Sequence, residues 1–67
     1  MATVTVNGKQ REVAAGTSVS QLVESLGLHP QAVAVEYNRE ILRRDDYSTS
    51  VLAEGDQLEI VRFVQGG

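Results

Sequence analysis

The 67 residues carry nine acidic and six basic side chains, a net charge of −3, with 42% apolar residues and no cysteine. That balance suits one small globular domain and excludes a disordered chain, a disulfide scaffold, a thiolate metal site and a thiol nucleophile. It also argues against a phosphate-backbone footprint, hence against nucleic acid as a partner. With no basic-then-apolar leader and no run approaching ~20 apolar residues, neither secretion nor a membrane is expected, which leaves the cytoplasm.

Val4 and Val6 alternate with threonines up to Asn7-Gly8, a pair that supplies the two positive-φ positions of a type I′ hairpin turn. Two antiparallel strands are therefore expected near Ala2–Val6 and Lys9–Val13. A two-residue loop sets Arg11 opposite Val4 and leaves Val13 as the one apolar side chain on that face of the second strand. Such a strand belongs at a sheet edge, where charge blunts unwanted pairing.

Gly16 ends the hairpin, and Ser18 followed by Gln21 has the spacing of a capping box. Val19, Leu22, Val23 and Leu26 then form a single apolar stripe over two helical turns. Gly27 is placed to adopt the left-handed conformation after the last turn, and Pro30 prevents continuation. A helix this short needs its stripe packed on a sheet.

Ala32–Tyr37 reads as a third strand, apolar on both faces as far as Val35. Asn38-Arg39-Glu40 turns it into a short fourth segment, Ile41-Leu42-Arg43. Arg44–Ser50 is a polar loop with a helical turn expected near Tyr47–Val51, and Glu54-Gly55-Asp56 breaks the chain before the last strand. On that strand Leu58, Ile60 and Val64 are expected to face the helix, and Glu59, Val61 and Phe63 to face outward. Two hairpins around one helix make an α+β layer. If the last strand returns parallel to the first in the sheet centre, the result is the β-grasp, or ubiquitin-like, fold: a mixed sheet of four to five strands on one helix, spanning residues 1–67 as one domain.

No catalytic constellation stands out. His29, the one histidine, precedes Pro30 and reads as an exposed loop residue, not a general base. Asp45-Asp46 lacks further oxygen ligands for a cation, and Arg43-Arg44 is expected to pair with these carboxylates. The chain is therefore not expected to be an enzyme or to bind a cofactor itself.

The remaining candidate is the terminal Gly66-Gly67, which follows directly on the last strand. Glycines without side chains can thread a narrow channel, and this tail is expected to be flexible, because it buries no apolar area to offset the entropy of ordering it. Its carboxylate must be activated before any nucleophile can attack, most economically as an acyl-adenylate made from ATP by a partner. Attack by sulfide or a persulfide on that adenylate would lead to a thiocarboxylate. Val61 and Phe63, with Gln65 on the way to the tail, are the candidate docking residues. The competing reading is that a sheet edge or folded-back loop covers the two apolar ones.

Over its whole length the sequence resembles the bacterial thiamin-biosynthesis sulfur carriers, the ThiS family. The resemblance rests on Val4-Thr5-Val6-Asn7-Gly8, Ser18-Val19, Val33-Ala34-Val35-Glu36-Tyr37-Asn38, Leu52-Ala53-Glu54-Gly55-Asp56, Leu58-Glu59-Ile60-Val61 and Gly66-Gly67. Arg43 departs from the family, which usually has proline there, so the local turn is open. The resemblance implies a carrier that is monomeric alone and has three partners. A ThiF-like adenylating enzyme would use ATP and magnesium on Gly67, a cysteine desulfurase or rhodanese would supply sulfur, and a ThiG-like thiazole synthase would accept it. The rivals are the small subunit of molybdopterin synthase (MoaD-like), whose tail usually carries prolines that Phe63-Val64-Gln65 lacks, a ubiquitin-like protein modifier, and a β-grasp interaction domain with an incidental tail. Lys9 is the sole lysine, which disfavours lysine-linked polymers.

Overall fold

A computed structural model describes residues 1–63. β1 (Ala2–Val6) and β2 (Lys9–Val13) form the first hairpin, with Val4 opposite Arg11 as the two-residue loop requires. Asn7 (φ 51°) and Gly8 (φ 83°) adopt the two left-handed conformations of that loop. β2 lies at the sheet edge, and its one buried residue is Val13.

Helix α1 (Val19–Ser25) starts where the capping box places it. The Gln21 N–H donates to Ser18 Oγ at 3.1 Å, and the Ser18 N–H donates to Gln21 Oε1 at 2.9 Å. Two further N–H groups of the first turn find carbonyls in the 47–52 segment: Val19 donates to Ser50 and Ser20 to Tyr47, both at 2.9 Å. The donors that every helix leaves unpaired at its start are thus satisfied from two directions. At the other end Gly27 (φ 78°) donates to Glu24 and Leu28 donates back to Val23 at 3.2 Å, the two bonds of a Schellman motif.

After a 3₁₀ turn at Pro30–Ala32, β3 (Val33–Tyr37) and β4 (Glu40–Leu42) make the second hairpin, and a further 3₁₀ turn spans Arg44–Asp46. Three boundaries differ from the sequence expectation. Ala32 closes the 3₁₀ turn instead of opening β3, since its N–H is taken by the His29 carbonyl at 2.8 Å. The β3–β4 loop is a two-residue turn with Asn38 (φ 52°) and Arg39 (φ 72°) both left-handed, so Glu40 joins the strand opposite Tyr37 and Arg43 lies outside it. The helical turn comes before Tyr47, not after it, because Tyr47 is drawn into the core, where its hydroxyl donates to the Val33 carbonyl at 3.2 Å. Arg43 has φ −70°, the value a proline would impose, so the turn keeps its path without the ring.

β5 (Gln57–Arg62) closes the sheet in the order β2-β1-β5-β3-β4. It runs parallel to β1, pairing Thr5 with Gln57 and Val6 with Leu58, and antiparallel to β3 from Val33–Arg62 to Tyr37–Leu58. The five-stranded mixed sheet covered by one helix is the β-grasp arrangement. Val4, Val6, Val33, Val35, Leu58 and Ile60 on the covered face meet Val19, Leu22 and Val23 from α1, with Tyr47 and Leu52 closing the side.

Candidate functional site

β5 leads toward the glycines, so what fixes β5 fixes the base of the tail. At its start Asp56, 9% exposed, accepts hydrogen bonds from the Tyr37 hydroxyl, from the Ala53 N–H at 2.8 Å and from the Asn38 side-chain amide at 3.2 Å. Asn38 also accepts from the Gln57 N–H at 2.9 Å. The β3–β4 turn and the Ala53–Asp56 turn are thereby tied together at the first residue of the strand. Burial alone would raise the Asp56 carboxyl, but the three hydrogen bonds from Tyr37, Ala53 and Asn38 outweigh it and hold it below the ordinary carboxylate value. Burial, the hydrogen bond to Asp56 and the negative charge of that carboxylate push Tyr37 up to about 12.

Midway, Asn7 acts as a surrogate for strand backbone. β1 has already turned away after Val6, yet the Asn7 side chain accepts from the Ile60 N–H at 2.7 Å and donates to the Ile60 carbonyl at 3.1 Å. Aspartate, which also tolerates this turn, would lack the donor. At the far end the Phe63 N–H donates to the Ala32 carbonyl at 2.9 Å, so pairing continues up to the last described residue.

The face of the sheet away from α1 carries the outward residues of β5. Val61 (60% exposed) and Phe63 (50%) both lie open there, and among the described residues no loop covers them. Sheet register puts Ala34 opposite Val61, Glu36 opposite Glu59, and Ile41 opposite Glu36. Ile41, 81% exposed, completes an apolar border around a shallow depression of about 270 Å³ lined also by Ala34, Glu36, Glu59 and Val61. The sequence does not assign Ile41 to this face, because an isolated isoleucine on a three-residue strand has no alternation to fix its side. The pairing of Glu36 with Glu59 depends on a register that local sequence does not encode.

Other candidates lie apart from this face. His29 is exposed and its Nδ1 accepts from the Gln31 N–H at 3.1 Å. Arg43 approaches Asp45 at 3.9 Å with both side chains exposed, a contact of little energetic weight. No group of three metal-ligating side chains occurs among the described residues, nor does any helix there have the length and apolarity to cross a membrane. Gln65, Gly66 and Gly67, the remaining candidates, and Val64 lie outside the described residues.

The model of the ThiS family matches residues 4–67. The sulfur carrier protein ThiS of Bacillus subtilis is 36% identical over 63 residues, covering 92% of this chain and 96% of that one. A thiazole synthase of Magnetococcus marinus is 42% identical over 62 residues, but the chain spans only 19% of its length. The crystal structure of the thiamine biosynthesis protein ThiS from Geobacter metallireducens superimposes with a TM-score of 0.80 at 34% identity, covering 97% of this chain and 99% of that one. Fold, strand register and these likenesses converge: the chain belongs to the ThiS family.

Proposed function

We propose that the protein is a sulfur carrier of thiamin biosynthesis whose reactive group is the carboxylate of Gly67. The observation that carries this reading is the family match, which runs through Gly67 itself. In the proposed cycle a ThiF-like adenylating enzyme binds ATP and magnesium, and the Gly67 carboxylate oxygen attacks the α-phosphorus with release of pyrophosphate. Hydrosulfide then attacks the acyl carbon and expels AMP, leaving a thiocarboxylate and a proton; where a cysteine desulfurase or rhodanese supplies the sulfur as an enzyme persulfide, its terminal sulfur attacks and expels AMP to give an acyl disulfide, which a thiol reduces to the thiocarboxylate and a mixed disulfide. The carrier supplies the acyl group and a rigid handle, and the enzymes supply the chemistry. Val61 and Phe63 belong to the docking face on this reading, with Gln65 continuing toward the tail.

Thiazole synthase is the proposed acceptor. The Magnetococcus marinus and Paramagnetospirillum magneticum proteins called thiazole synthase each contain a segment 40% or more identical to this chain within a much longer polypeptide. Joining a donor to its acceptor in one chain raises their effective concentration, which favours a working pair. The test is incubation of the full chain with the adenylating enzyme, ATP, magnesium and hydrosulfide. Pyrophosphate release and an intact-mass increase matching exchange of one oxygen for sulfur are expected. Deleting Gly67 should abolish both without changing the melting temperature. If the deletion variant still accepts sulfur, Gly67 is not the reacting residue.

A further inference from the structure

Glu36 and Glu59 face each other directly across β3 and β5, in the middle of the open sheet face. Directly opposed side chains have Cβ atoms about 5 Å apart, and like charges in that relation destabilise a sheet. Among the described residues the one ion pair is Arg43–Asp45, so neither glutamate is neutralised by a partner. Arg39 borders the pair in an adjoining depression of about 210 Å³ but forms no ion pair with either. The two carboxylates thus sit beside an apolar border of Ala34, Ile41 and Val61, at the edge of a depression wide enough for a side chain.

We infer that the protein docking on this face inserts a basic side chain, arginine or lysine, whose aliphatic stem lies on Ile41 and Val61 and whose cationic head is shared by Glu36 and Glu59. Both residue types combine an apolar stem with a charged tip, the combination this surface matches, and arginine adds a planar fork for carboxylates. A second copy of this chain is a poor occupant, because it would bring another glutamate pair and another net charge of −3. The inference depends on the carrier reading only for the identity of the docking protein, the adenylating enzyme.

The test compares the full chain with the Glu36→Gln/Glu59→Gln variant. Removing the like-charge pair from the free protein should raise its melting temperature by roughly 1–5 °C. Titration calorimetry with the adenylating enzyme at low salt should show about tenfold weaker binding by the variant, with the difference collapsing at high salt. In turnover, KM should rise with kcat retained, because docking changes and the tail does not. Binding within twofold of the original chain, a loss that salt does not reduce, or no binding by the original chain would each overturn the inference. Concentration-dependent dimerisation relieved by the substitutions would overturn it in favour of a second copy. Pyrophosphate release is scored separately: binding without it sinks the carrier chemistry and leaves the docking comparison decisive.

Discussion

Asp56 and Tyr37 couple the stability of this fold to pH in opposite directions. The folded carboxyl of Asp56 lies below the ordinary value of 3.8, so its contribution is complete above that pH and is lost as pH falls through the lower folded value. Tyr37 behaves in the opposite sense. Its hydroxyl is raised from 10.0 to about 12, so the folded state holds the proton more tightly, and stability declines as pH rises from 10 to 12. In Tyr37→Phe, thermal unfolding should show a smaller decline across pH 10–12 than in the original chain. Equal declines would mean that the Tyr37–Asp56 contact does not govern the alkaline limb. Asp56→Asn should lower stability by about 2 kcal/mol at neutral pH, since hydrogen bonds to a buried charge are each worth about 1.5–3 kcal/mol, and should flatten the fall below pH 3.8. None of this network is legible in the sequence. Tyr37 and Asp56 are 19 positions apart, and only the β3–β5 register brings them together.

Local chemistry was most informative at the level of elements. Asn7-Gly8 determines both strands of the first hairpin and their register, while Ser18, Gln21 and Gly27 bracket the helix, because each meets a backbone requirement that few residue types can meet. The sequence is least explicit between Leu28 and Val51. There the hairpin turn uses Arg39 at φ 72°, a conformation its side chain does not advertise, and the position of the 3₁₀ turn follows from burial of Tyr47. Helix α1 has seven residues, too few to persist alone, so its caps and its bonds to the 47–52 segment carry unusual weight. Ser18→Ala removes one half of the capping box and should cost about 1 kcal/mol, a drop of roughly 4–8 °C in melting temperature for a domain of this size. Ser18→Thr should restore most of it. A melting temperature unchanged in Ser18→Ala would show that the Ser50 and Tyr47 carbonyls suffice.

For the whole molecule, the sheet centre is the part assembled from the most distant sequence. At roughly 0.05–0.15 kcal/mol per residue, the total stability of such a domain is about 3–10 kcal/mol. Leu58→Ala, at a side chain 2% exposed on β5, should remove about 2–5 kcal/mol of that, leaving a measurable unfolded fraction by circular dichroism under mild heating. The parallel return of β5 beside β1 could be anticipated from the hairpin–helix–hairpin order, but its lock could not: Asn7 and Ile60 are 53 positions apart. That lock has a consequence for the order of events during synthesis. β5 is the shared neighbour of both hairpins, so a nascent chain stopped at Asp56 has two separate ribbons and no middle to its sheet. Such a truncated chain should show no cooperative unfolding transition. Folding is therefore deferred until β5 has left the ribosome, and a completed body certifies that β5 is already in place.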